Sequence, residues 1–139
     1  MAQTLDQQRA QFAWESVQSA KSKVPNFGDY KNLTKGAPAL IMGNGLMPAI
    51  AFYQSRKKKE VTVEHAAALR DTILAWLVQR FKDDQAFRPL PTDFHSAMER
   101  LQKVDSGFYM RATDETLAML KWLRQFADAV SDSTGAQTK

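Results

Sequence analysis

The sequence predicts an all-α protein, a compact single-domain bundle of about six helices with no sheet. Three observations carry that prediction. Apolar residues recur at helical spacing in the long segments. No segment alternates apolar and polar residues with period two. Breaks between the periodic segments fall at proline, glycine or a capping side chain. A chain of 139 residues fits one domain, and its 44% apolar content is enough for a core. The domain is placed at residues 1–130. Residues 131–139, small and polar, form a flexible tail.

The first helix is predicted from Thr4 to Val24. Leu5, Phe12, Ala13, Val17, Ala20 and Val24 share one stripe, Thr4 supplies an N-cap, and Pro25 ends the helix. Asn26 caps a second helix, Phe27 to Met42, which Gly36 and Pro38 kink or split, a kink being preferred. Gly43-Asn44-Gly45 then makes a tight corner, with Gly43 or Asn44 in the left-handed conformation. The helix after it, about Asn44 to Lys58, is apolar nearly all round (Leu46, Met47, Ala49, Ile50, Ala51, Phe52, Tyr53). Such a helix is expected to be buried on every side. Arg56-Lys57-Lys58-Lys59 closes it at its negative dipole end.

Thr62 is the expected cap of a fourth helix, whose stripe is Ala66, Leu69, Ile73, Trp76, Leu77 and Phe81. Arg88-Pro89-Leu90-Pro91 reads as an extended connector. A fifth helix starts at Thr92 and buries Phe94, Ala97, Met98, Leu101 and Val104. Asp105-Ser106-Gly107 is a turn, and Phe108 to Ala112 is read as irregular. Thr113, with Asp114 and Glu115 behind it, caps a last helix that buries Met119, Leu120, Leu123, Phe126, Ala127 and Val130.

Chemistry is sparse. There is no cysteine, which excludes disulfides, thiolate metal sites and thiol nucleophiles. His65 and His95 stand apart, without the spacing of a paired metal site. Asp114-Glu115 is explained by a helix start, and Asp83-Asp84 by a solvated helix end. Replacing the latter pair is the test of a metal-dependent nuclease reading. Gly43-Asn44-Gly45 lacks the lysine, third glycine and preceding strand of a phosphate loop. Trp76 and Trp122 fall at core spacing, while Trp14 lies toward the edge of its stripe, where it is open to a partner or a stacking base. No catalytic residue, metal or cofactor follows from these patterns. No run is long and apolar enough for a membrane span or signal region, so a cytoplasmic protein is expected.

The informative surface feature is basic. Net charge is +4, and the positive residues cluster. Lys21, Lys23, Lys31 and Lys35 surround the first corner, and Arg56, Lys57, Lys58 and Lys59 form one tract. Arg70, Arg80, Lys82 and Arg88 add charge around the fourth helix. The first eight are the candidate RNA-binding residues, a surface that tracks phosphates without reading bases.

A resemblance accompanies this reading. Tyr30, Pro38-Ala39-Leu40-Ile41, Asn44-Gly45-Leu46 and Ala51-Phe52 are followed late in the chain by Thr113, Glu115, Leu120 and Trp122-Leu123-Arg124. Their order and spacing resemble the small all-helical subunit of the Cmr complex, the type III-B CRISPR effector, over nearly the whole chain. The resemblance implies a non-catalytic structural subunit in antiviral defence. Several copies would stack as the minor filament of the ribonucleoprotein, beside backbone subunits and a large polymerase-like subunit, with basic residues toward guide and target RNA. It implies neither a small-molecule substrate nor a membrane partner. The matched residues carry over as packing positions, and the basic ones do not carry over individually. Trp14, Phe27, Phe87 and Tyr109 are candidate contacts between copies. The competing reading is a stand-alone basic helical adaptor or regulator that binds an acidic protein or nucleic acid.

Overall fold

The computed structural model describes the backbone of residues 2–137 and the side chains of residues 2–131. Among the described residues there are six α-helices, one short 3-10 turn and one small hairpin. The all-α prediction therefore holds, with two two-residue strands where none was read.

Helix α1 spans Leu5–Lys23. The Thr4 hydroxyl accepts from the Gln7 N–H at 3.0 Å, and the Gln7 side chain accepts from the Thr4 N–H at 2.8 Å, a reciprocal capping box. Helix α2 spans Phe27–Asn44, capped by Asn26, and is not split at Gly36 or Pro38. The corner after it belongs to Gly45, not to Gly43 or Asn44. Its φ of 99° and ψ of 163° lie in a region essentially reserved for glycine.

Helix α3, Leu46–Ser55, buries Leu46, Ala49, Ile50 and Tyr53. Its other side is open: Pro48, Ala51 and Phe52 are exposed. Burial on every side fails because α3 packs on α2, α4 and α5 from within the bundle, and nothing described covers its outer face. The helix also stops at Ser55, three residues before the expected Lys58.

Strands β1 (Lys57–Lys58) and β2 (Val61–Thr62) pair antiparallel, Lys57 opposite Thr62 and Lys58 opposite Val61. The two residues between them, Lys59 and Glu60, have φ of 54° and 71°. Positive φ at both loop residues matches the twist of the strands they join. Thr62 does not cap α4, because its hydroxyl donates to the Gln54 carbonyl at 2.8 Å. The N-cap of α4 (Glu64–Phe81) is Val63, which makes no side-chain cap bond.

Asp84 caps the 3-10 turn Gln85–Phe87. Helix α5 spans Phe94–Lys103 and is capped by Asp93, one residue after the predicted Thr92, in a reciprocal pairing with Ser96. The long helix α6 runs Ser106–Gln137. Asp105 starts it by accepting from the Phe108 N–H at 2.8 Å, so Phe108 to Ala112 is helical, not irregular. Thr113 is therefore interior. Its hydroxyl donates to the Tyr109 carbonyl at 3.0 Å, the other use that threonine finds in a helix. Of the expected tail, residues 138–139 and the side chains of 132–137 lie outside the described residues.

Helix α6 packs along both α1 and α2, and α4 closes against α2, α3 and α6. The core between them holds Tyr30, Ile41, Leu46, Ile50, Leu69, Ile73, Trp76 and Met119. Phe81, Phe87 and Phe108 form a second aromatic cluster, with centroids 4.8–6.2 Å apart. One buried charge joins three helices. Glu115 of α6 accepts two bonds from Arg9 of α1, at 3.0 and 2.7 Å, and lies 3.2 Å from Nε of Arg80 on α4. Burial raises the Glu115 pKa, but the two guanidinium groups outweigh it and hold the carboxyl below its ordinary range. Near it, the Trp122 indole donates to Asp6 at 3.1 Å, which lowers the Asp6 pKa and pins α6 to the start of α1. Trp122 is thus half-buried with a polar tether, where a fully buried core position was expected.

Candidate nucleic-acid interface

The eight candidate cations divide among separate places. Lys21, near the end of α1, donates to the Val130 carbonyl at 3.2 Å and lies 5.6 Å from the Phe27 ring centroid, so it braces α1 against α6. Lys23 lines a groove between α1 and α4 that also contains Glu15 and Asp71. Lys31 pairs with Asp128 of α6 at 3.5 Å. Lys35, one turn further along α2, lines the same α2–α6 cleft as Lys31.

The Arg56–Lys59 tract is the most exposed group. Its three lysines are carried by the hairpin and not by a helix end, because α3 stops at Ser55 with Arg56 as its C-cap. Arg56 caps α3, and its guanidinium carbon lies 5.7 Å from the exposed Phe52 ring. Lys57 and Lys58 occupy β1, and Lys59 sits at the turn. Lys58 and Lys59 border an open groove of about 400 Å³ opposite Val24, Pro25 and Asn26 of the α1–α2 turn. Asp29, Glu64 and His65 share that groove, so its floor is of mixed charge. A short strand pair lifts these lysines away from the helices and fixes their spacing, which a frayed helix end would not do.

The remaining basic residues are mostly engaged within the fold. Arg70 bonds Asp71 at 2.8 Å and Gln54 at 2.6 Å. Arg80 faces Glu115, and Arg88 donates to the Lys82 carbonyl at 2.6 Å. Asp84, besides capping the 3-10 turn, pairs with Arg111 at 3.4 Å, and Asp83 is exposed. His65 is half-buried, and His95 is exposed with Glu99 at 3.6 Å. Among the described residues, no three His, Cys, Asp or Glu side chains gather as metal ligands would, and no helix is long and apolar enough to cross a membrane.

Of the apolar contact candidates, Trp14 is 45% exposed and meets Phe126 edge-on at 5.2 Å. Phe27 is half-buried. Tyr109 is also half-buried, its hydroxyl accepting from the Met47 N–H at 2.9 Å. Phe87 is core, stacked on Phe108, and is removed from the set. Sequence reasoning missed the exposed Met42, Phe52, Val61 and Met110. Met42 and Phe52 sit in the apolar run around the Gly45 corner, whose composition suggests burial, while Val61 and Met110 are single apolar residues in a connection and a segment read as irregular. It also missed Arg124, which lines the Lys31–Lys35 cleft from α6. That residue lay inside a run assigned to packing.

Comparison with known proteins gives one answer. The family model described as "CRISPR-associated protein (Cas_Cmr5)" matches residues 5–130. The chain is 30% identical over 127 residues to the Thermus thermophilus protein named "CRISPR system Cmr subunit Cmr5", covering 91% of this chain and 96% of that one. It also superposes with a TM-score of 0.68 and 29% identity on the crystal structure of a CRISPR-associated Cmr5 family protein from the same organism, over 92% of this chain and 97% of that chain. The family match reaches from the first turn of α1 into α6, so it takes in every described helix and the hairpin. On this agreement of sequence and fold, the chain belongs to the CRISPR-associated Cas_Cmr5 family.

Proposed function

We propose that this chain is a non-catalytic structural subunit of a type III-B Cmr ribonucleoprotein in the cytoplasm. Several copies stack along the complex and turn basic residues toward the paired guide and target RNA. Family membership supports the assembly. The observation that carries the RNA-facing part is the hairpin, which presents Lys57, Lys58 and Lys59 on exposed positions outside the helical core. Lysines on a raised ribbon neutralise phosphates without reading bases, so sequence specificity stays with the guide. Copies meet through exposed apolar surface, for which Trp14 and the open side of α3 are available.

Charge reversal at Lys57, Lys58 and Lys59 in the assembled complex tests this reading. Target-RNA affinity should fall, with a shallower dependence on salt, while assembly is preserved. Unchanged affinity and unchanged salt slope would remove the hairpin from the RNA path.

A further inference from the structure

The cleft between α2 and α6 has a composition that the hairpin reading does not use. Lys31 and Lys35 stand one turn apart on α2, about 6 Å along its axis. Arg124, Gln125 and Asp128 face them from α6, and these five side chains enclose about 150 Å³. That is well below the ~300–1,000 Å³ of pockets that hold drug-sized molecules. A cleft of this size accepts a group as large as a phosphate and excludes a nucleoside.

Three cations line it against one carboxylate. Lys31 is already committed to Asp128 at 3.5 Å. Lys35 and Arg124 are exposed, and neither has a hydrogen-bond or ion-pair partner among the described residues. Two unneutralised positive groups around one concavity repel each other, and an anion between them relieves that repulsion. Arg124 follows Trp122, which is tethered to Asp6, and Leu123, which is fully buried. Its neighbours fix the backbone while its own side chain is left outside the packing.

We infer that Lys31, Lys35 and Arg124 form a subsite for one phosphodiester group of an RNA backbone, with Arg124 the principal ligand and Lys31 held in place by Asp128. This rests on the reading of the chain as an RNA-facing subunit. A guanidinium fork on one wall and an ammonium on the other suit a tetrahedral anion, whose oxygens point to several sides. A carboxylate can also bridge two cations, as Glu115 does between Arg9 and Arg80, so the choice of a phosphodiester comes from the RNA-facing reading and not from the shape of the anion.

The test uses the full chain and a labelled oligouridine of about 20 nucleotides, with anisotropy read between about 50 and 200 mM salt. Lys35→Ala with Arg124→Ala should weaken binding about fivefold at the lower salt and reduce the slope of log K against log salt by ~0.7 for each phosphate charge no longer neutralised. In a reconstituted particle the same variant should incorporate normally. If that variant binds like the unsubstituted chain while Lys57→Glu, Lys58→Glu and Lys59→Glu weaken binding, the subsite is wrong and the RNA-facing reading stands. If the unsubstituted chain binds no oligouridine, both fall. If the Lys35 and Arg124 variant fails to enter the particle, the cleft takes a carboxylate of a protein partner, and the phosphate assignment is overturned.

Discussion

Replacing Glu115 with alanine removes the one carboxylate shared by Arg9 and Arg80, so that Arg9 keeps only the exposed Asp6, at 3.3 Å, and Arg80 loses its ion pair. The Glu115 side chain is 9% exposed, that of Arg9 19% and that of Arg80 35%. Breaking a fully buried pair from one side costs ~3–5 kcal/mol, whereas an exposed pair is worth ~0.2–1 kcal/mol. The bidentate Arg9 contact falls between the two figures, at ~2 kcal/mol, because Arg9 is 19% exposed and keeps Asp6 as a partner. The Arg80 contact belongs near the second, since it has ion-pair distance but lacks hydrogen-bond geometry and reaches water. The sum is ~2–3 kcal/mol, or about 10 °C in Tm for a domain of this size. Thermal unfolding at neutral pH, followed by circular dichroism, reads it directly. A cycle with Arg9→Ala should show ~1.5 kcal/mol of coupling between the two sites. A Tm within about 2 °C of the unsubstituted protein, or no coupling, would refute the view that this carboxylate ties α1 and α4 to α6.

The same carboxylate sets an acid limit. Its folded pKa is lowered from an ordinary value of 4.5, so its stabilisation is complete above that pH and is lost as pH falls through the folded value. Urea unfolding from about pH 6 downward should therefore lose stability below about pH 4.5, and Glu115→Gln should flatten that loss. At the alkaline end, burial raises Tyr30 and Tyr53 to about 12, so stability should decline once pH passes the 10 at which they ionise in the unfolded chain. Gly45→Ala should cost ~1–3 kcal/mol because of its backbone conformation, while Gly43→Ala, with open space around the added carbon inside a helix, should gain ~0.5–1 kcal/mol. Equal effects of the two would contradict the corner. Lys59→Asn with Glu60→Gly fits the turn's two positive φ angles and should stabilise the chain by ~1 kcal/mol, and a loss of stability would mean a different turn.

The helices were legible where local chemistry had one reading. Thr4 and Asn26 cap the helices assigned to them, and the α4 stripe is buried throughout, while the stripes of α1 and α5 face the core with Leu5, Phe12, Phe94, Met98 and Val104 half-buried. Thr113 misled because a threonine followed by two acids describes a helix start and also an interior threonine that bonds back to a carbonyl. The start signal is Asp105, but Asp105-Ser106-Gly107 describes a turn as well as it describes a helix cap. The hairpin was invisible, since strands of two residues have no periodicity to detect and Lys59-Glu60 is not a usual turn pair. At the candidate interface, sequence clustering located the cations but not their partners. Lys21 and Lys31 are neighbours in sequence to other lysines, yet they are tied to Val130 and Asp128 of α6. The partnership of Lys35 with Arg124 is made by the packing of α2 on α6, and no local pattern encodes it.

Reconstitution tests the central claim most directly. The tagged chain is mixed with the other Cmr subunits and guide RNA and followed by size exclusion at moderate and high salt. The account predicts co-elution in more than one copy per particle, and weaker target capture when the chain is omitted. Elution as a free species at every salt tested would contradict it, leaving a shared fold without a shared role.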